Sequence, residues 1–250
     1  MKIIHLSDLH FHRDKNDNKK AIKTLKSVKA KYPDHRVVIT GDIVDDGHPK
    51  QYENAFAELK QFDGQIFIAP GNHDFGAAGN FYSPERAKRF DDFLSIPLGQ
   101  GGTFYAQNRP IVNVVNDGND SVMFIAVDTN LETVHPFDFA CGEVGDFQLN
   151  ALEILLTNTT VLGMTKLLFF HHHPFIRNDP FMEMKDASKL ARSVYSRVDV
   201  ILFGHKHVVG KWENRWGVKH ILASDNSPGK NKAGEITIEN GIVKVDYVAI

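Results

Sequence analysis

The sequence predicts an α/β fold with parallel strands at its centre, on two observations. From Lys2 to Ile68, short apolar runs of strand length alternate with amphipathic segments of helical period. The runs stop abruptly at glycines and polar residues, as buried strands do at the edge of a parallel sheet.

The elements follow in order. Lys2 to Leu6 is a short apolar strand. Asn18 to Tyr32 carries Ala21, Ile22, Leu25 and Val28 at helical spacing, with lysines on the opposite face. Val37, Val38 and Ile39 form a second strand. Gln51 to Phe62 is a second amphipathic helix, with Tyr52, Phe56 and Leu59 on one stripe. Ile66 to Ile68 is a third strand, and connections of this rhythm are right-handed crossovers. Residues 75–102 break the pattern with a glycine-rich start and an aromatic, helix-like Pro84 to Leu94. They predict an insertion over the sheet edge of a single domain spanning residues 1–250. Ile111 to Val115 and Val122 to Val127 are strands, with a hairpin signal at Asn116-Asp117-Gly118-Asn119 between them. Gly145 to Leu156 is a helix, and Lys166 to Phe170 and Asp199 to Phe203 are buried strands. Beyond His207 the segments Val218–Ala223, Glu235–Glu239 and Ile242–Val248 predict antiparallel strands. Asn240-Gly241 joins the last two.

Composition excludes several classes. A chain of 250 residues with 42% hydrophobic and 24% charged residues is an ordinary globular protein. A net charge of -2 gives no global attraction to nucleic acid or to an anionic membrane. The single cysteine, Cys141, rules out an internal disulfide framework. Met1 to Leu6 is too short an apolar run for a signal peptide, and no stretch approaches the roughly 20 apolar residues of a membrane helix. A cytoplasmic protein is expected. Phe81, Tyr82, Phe90 and Phe93 either cover the core or form an interface, so the oligomeric state stays open.

The chemistry lies at the ends of the apolar runs. Asp8-Leu9-His10, Gly41-Asp42 with Asp45 behind it, Gly71-Asn72-His73-Asp74, His171-His172-His173-Pro174 and Gly204-His205-Lys206-His207 each follow a strand. Ligands of parallel sheets bind outside the carboxyl ends of the strands, so five strands aim these side chains at one edge. Two carboxylates, an amide oxygen and several imidazoles suit Mn, Fe or Zn better than calcium. Two ions roughly 3.5–4 Å apart need a bridging carboxylate. With Asp8 and Asp42 as the only carboxylates, they keep a formal surplus of about two positive charges, which a phosphate ester neutralises and a peptide does not. Taken singly, each cluster has a bland reading: a capped turn for Asp-x-His, a left-handed turn for Gly-Asn-His-Asp.

The full set resembles the calcineurin-like metallophosphoesterase superfamily, whose D-x-H, G-D, G-N-H-D/E, H and G-H-x-H elements are all present between Lys2 and about Ala223. The resemblance implies a two-sheet mixed β-sandwich flanked by helices, an α/β/β/α arrangement, and a dinuclear centre of divalent or mixed-valence ions. It implies Asp8, His10 and His207 at the first ion and Asp42 bridging. Asn72, His205 and one histidine of the 171–173 run would hold the second; His172 is favoured, with His171 the alternative and His173 structural. It implies a metal-bridging hydroxide that attacks phosphorus in line. His73 would be an acid or charge stabiliser at the substrate, oriented by Asp74. The branch most similar is that of the cyclic-nucleotide phosphodiesterases, so the expected substrate is a cyclic nucleotide or other small phosphodiester. His12, Arg13 and Arg177 are the candidate substrate contacts, with Asn130 and Phe175 beside them. A phosphomonoesterase or protein phosphatase would use the same metals, a nuclease would need a basic groove, and a non-catalytic binding module would have lost ligands.

Overall fold

Alternation along the strands sorts the apolar side chains into two cores, and these set the layers. The computed structural model describes residues 1–79, 81–105, 109–131 and 140–250. In the first sheet β1 (Lys2–Leu6), β2 (Arg36–Thr40) and β3 (Ile66–Ala69) run parallel, with Ile4 opposite Val37 and Val38 opposite Phe67. A hairpin of β12 (Lys232–Glu239) and β13 (Ile242–Ala249) joins β1 antiparallel, giving the order β13-β12-β1-β2-β3. The second sheet has the order β10-β11-β9-β8-β7-β6. It comprises β6 (Ile111–Asp117), β7 (Asp120–Ala126), β8 (Thr165–Phe169), β9 (Val200–Phe203), β10 (Gly210–Arg215) and β11 (Val218–Ala223). Its four central strands are parallel, and β6 and β10 pair antiparallel at the edges.

Side chains of period two decide what each face touches. Phe124, Leu167, Phe169 and Leu202 join Ile4, Val38 and Ile68 in a core between the sheets. The Phe67 and Phe124 rings stack there at 4.1 Å. Their chain neighbours Ile125, Leu168, Phe170 and Ile201 pack instead with Leu149 and Leu152 of α5 (Asp146–Thr157) and Leu190 of α6 (Ala187–Val194). Ala21, Leu25 and Val28 of α1 (Lys19–Lys31) and Tyr52, Ala55 and Leu59 of α2 (Pro49–Leu59) join the first core. The result is helix, sheet, sheet, helix. Each fully buried Leu, Ile or Phe contributes roughly 1.5–3 kcal/mol, so the sandwich rests on its apolar stripes.

The segment 75–102 carries the end of α3 (Asn72–Phe75), a small hairpin of β4 (Gly76–Ala77) and β5 (Phe81–Tyr82), and α4 (Pro84–Phe90). Phe75, Phe90, Leu94 and Leu98 sink into the first core, while Phe81 stays 53% exposed. Several elements differ from expectation, α3 and the β4–β5 hairpin among them. β10 and α6 were not expected from the sequence. β11 runs parallel to β9 and antiparallel only to β10, because β10 supplies the edge that the sequence conceals. Among the described residues no helix is long and apolar enough to cross a membrane.

Candidate metal centre

The strands end where the polar clusters begin, and the backbone there is forced into unusual turns. Asp8, His10, Asp42, His205 and His207 all have positive φ, between 47° and 78°. Non-glycine residues pay on the order of 1–3 kcal/mol each for such conformations, and they persist where surroundings over-determine them. Here Asp8 N donates to Gly41 O at 3.0 Å, His10 N to Asp42 O at 3.0 Å and Phe11 N to Ile43 O at 2.8 Å, so two loops zip beyond β1 and β2. The glycines in front of Asn72 and His205 allow close approach: a Cβ on Gly71 would overlap Asp42 Oδ1, and one on Gly204 would overlap the Ser7 hydroxyl.

Two groups of donors result, joined at one oxygen. In the first, His207 Nε2 lies 3.5 Å from Asp8 Oδ1 and 3.3 Å from His10 Nε2. His10 Nε2 in turn lies 3.9 Å from Asp42 Oδ2. In the second, His171 Nε2 lies 3.2 Å from the same Asp42 Oδ2 and 3.1 Å from His205 Nδ1, which is 3.2 Å from Asn72 Oδ1. Asp42 Oδ1 is occupied by the amide of His73 at 3.0 Å, so Oδ2 faces both groups.

The electrostatics are those of a candidate cation site. Burial pushes the Asp8 carboxyl up to about 8, against the pull of His171 and with the help of Asp42. Burial also acts on Asp42, yet the charges of His171 and His73 hold it well below the usual carboxylate range. Burial opposes charge on His171, but Asp42 raises it to about 9. Burial lowers His10 to about 4 and His205 far below its ordinary value. Ring nitrogens face each other at 3.3 Å between His10 and His207 and at 3.1 Å between His171 and His205. A cation between them would satisfy both lone pairs and both carboxylates, so these residues fit a pair of transition-metal ions.

Two members of the triple histidine border the second group. The His172 ring lies 4.6 Å from that of His205, and its buried Nε2 has no hydrogen-bond partner among the described residues. His171 is the one whose Nε2 meets Asp42. The Nδ1 of His171 donates to Thr40 O at 2.7 Å, which turns Nε2 towards Asp42. His172 is turned to the Thr129 hydroxyl at 2.7 Å from Nδ1. His173 packs against Phe203 and Trp212.

His73 lies beside both groups, its ring edge-on to His10 at 4.9 Å. Its Nδ1 donates to the Asp45 carbonyl at 2.8 Å. Asp74 does not orient it. The Asp74 carboxylate accepts the amides of Val44 and Gly71, each at 2.8 Å, and so ties the second and third loops together. Asp45 is the residue whose role the sequence reading missed: its carboxylate also approaches His10 Nδ1 at 3.7 Å and His12 Nδ1 at 3.4 Å. Its place three residues after Asp42 was the available signal.

The outer contacts separate as well. His12 is brought to the site through Asp45, whereas Arg13 is engaged with Asp46 at 2.6 Å and is exposed. Arg177 lines a separate groove of about 490 Å³ with Phe175, Met184 and Trp216, into which none of the donor residues projects. Phe175 packs on Phe203, Trp212 and Trp216 beneath the Arg215 guanidinium, 3.6 Å from its ring centre. Asn130 is buried, with Nδ2 donating to Asp128 Oδ1 at 2.6 Å and to Pro70 O at 3.3 Å.

A four-layer sandwich with this donor set where both sheets end defines a class: the metal-dependent phosphoester hydrolases. Residues 1–209 match the calcineurin-like phosphoesterase family, and the chain belongs to it. The family uses dinuclear metal sites. A protein of Rhodococcus erythropolis described as a probable cyclic nucleotide phosphodiesterase is 31% identical over 183 residues, covering 68% of this chain and 50% of the relative. The chain therefore spans about half the length of that relative. A 3′,5′-cyclic adenosine monophosphate phosphodiesterase of Haemophilus influenzae is 22% identical over 239 residues, covering 90% of this chain and 75% of the relative. The crystal structure of a dimetal phosphatase from Danio rerio superposes with a TM-score of 0.72 at 15% identity, covering 100% of this chain and 96% of that one, and shows the shared fold.

Proposed function

We propose that the chain hydrolyses a small phosphodiester, with a 3′,5′-cyclic nucleotide as the leading substrate. In this reading Asp8, His10, Asp42 and His207 hold one Mn, Fe or Zn ion, and Asp42, Asn72, His171 and His205 hold another. The observation that carries it is the position of Asp42 Oδ2, within 3.2 Å of His171 Nε2 and 3.9 Å of His10 Nε2. One oxygen facing two donor groups is what a bridged pair of ions requires. Asp8 and Asp42 are the carboxylates of the two groups among the described residues, with Asp45 behind His10, so a pair of divalent ions would keep a net positive charge suited to a phosphate ester. The names of the two curated relatives favour a cyclic nucleotide among diesters.

Bound there, the ions would supply Lewis acidity and a water acidic enough to react near neutral pH. The chain's own contribution is the proton. Because Nδ1 of His73 is committed to the Asp45 carbonyl, a second proton on that ring sits on Nε2, free to pass to the leaving oxygen. Burial disfavours that charge, but Asp42 and the Asp45 carbonyl raise the His73 pKa above its ordinary value.

The test is turnover of 3′,5′-cyclic nucleotides, aryl diesters and aryl monoesters with Mn²⁺ against a chelator. Diester turnover that the chelator removes is expected. Faster monoester turnover would overturn the diester reading, and metal binding without any turnover would indicate a binding module.

A further inference from the structure

We propose that Gly79, at the tip of the β4–β5 hairpin, is a positioning residue: its carbonyl fixes the Asn72 amide, and its missing side chain keeps the space beside His73 open. The inference rests on the reading of Asn72 as a ligand of the second ion. An asparagine amide can present either its oxygen or its nitrogen, and only the oxygen can ligate a cation. The Gly79 carbonyl can only accept a hydrogen bond. It takes Asn72 Nδ2 at 3.0 Å, which commits Oδ1 to the other side, 3.2 Å from His205 Nδ1.

The second observation is steric. Gly79 is buried, and a Cβ there would lie 2.5 Å from Asn72 Nδ2 and 2.9 Å from His73 Nε2. The latter is the atom assigned to the leaving oxygen. Little in the hairpin can yield. Its strands pair Gly76 with Tyr82 and Ala77 with Phe81. Ser83 N donates to Phe75 O at 2.9 Å, which ties the hairpin base to α3, the helix that carries Asn72 and His73. Gly79 thus lies seven residues from the amide it orients, on a short and braced path.

A purely conformational need offers a rival account, because Gly79 has φ of +71°. Asparagine tolerates left-handed backbone, so Gly79→Asn keeps the turn while adding the Cβ. The full-length chain as wild type, Gly79→Ala, Gly79→Asn and Asn72→Ala would be titrated with Mn²⁺ after chelation. Ions would be counted by elemental analysis, and melting temperature, kcat and KM measured on an aryl diester. Both Gly79 variants are expected to keep the first ion; Gly79→Ala should lower the metal-free melting temperature, as alanine in left-handed backbone does, and Gly79→Asn should lower it less. They should lose second-ion affinity by about 10–100-fold, the usual cost of losing an outer partner of a ligand, with the loss of activity in kcat rather than KM. Wild-type second-ion affinity and kcat in Gly79→Asn would overturn the proposal and leave glycine a turn residue. If Asn72→Ala keeps both ions, the ligand reading itself fails. If Asn72→Ala loses the second ion but the Gly79 variants keep it, only the role of Gly79 fails.

Discussion

The two halves of the donor set are built to different standards. Asp8, His10 and His207 form an open half: the His207 side chain is 45% exposed, and His10 leans on the Asp45 carboxylate, itself 39% exposed. Asn72, His171 and His205 form a closed half, all buried. Their outer partners are main-chain carbonyls, Thr40 O for His171 and Gly79 O for Asn72. A carbonyl in a braced loop cannot titrate or swing away, whereas an exposed carboxylate can do both. The closed half is therefore pre-organised, and the open half is the one that faces solvent. Metal content is the observable that separates the halves.

The largest effect belongs to the oxygen they share. Asp42→Ala is expected to empty both halves and abolish turnover, because Oδ2 is the one anionic atom among the described residues that faces both groups. Elemental analysis of the purified variant checks this. Retention of one full equivalent of metal would mean that the halves are independent and that Asp42 does not bridge.

The closed half alone is the next target. His171→Ala should lose the second ion and keep the first, while His172→Ala should keep both. The His172 variant forfeits its bond to Thr129, worth about 1 kcal/mol of stability, and its ring contacts with His171 and His205. The opposite pattern would restore the assignment that the sequence favoured. His73→Ala should lose no metal yet cost about 10²–10⁴ in kcat, as removal of a general acid does. Loss of either ion in that variant would make His73 a structural member of the site.

These contrasts mark what the sequence could express. The ligand types and their order were legible because each cluster is local: a strand, a turn, then two or three polar residues. The layers were legible where apolar spacing was clean, as in Ala21, Leu25 and Val28 of α1. The ring orientations of His171 and His172 were not, since partners 131 and 43 residues away set them. Asp74 was misread for the same reason: its carboxylate serves Val44, 30 residues back. β10 was missed because Gly210 to Arg215 is a polar edge strand in which Trp212 is the one apolar residue, too few to show an alternation.

The comparison also has a pH signature. Without metal, Asp42 holds His171 protonated up to about pH 9, and burial keeps the Asp8 carboxyl protonated up to about 8. Each must give up its proton to ligate, because a metal ligand binds through a free lone pair. At pH 7 each half should therefore release close to one proton as its ion binds. The sign follows: affinity rises with pH, by about tenfold per unit for each displaced proton, and levels off once the metal-free group is already deprotonated. The open half should level off near pH 8 and the closed half near pH 9. Calorimetric titration with Mn²⁺ in buffers of different ionisation enthalpy counts the protons for each binding step. Release of none at pH 7 would mean that the metal-free site is already deprotonated, and that the ion pair between His171 and Asp42 does not form in solution.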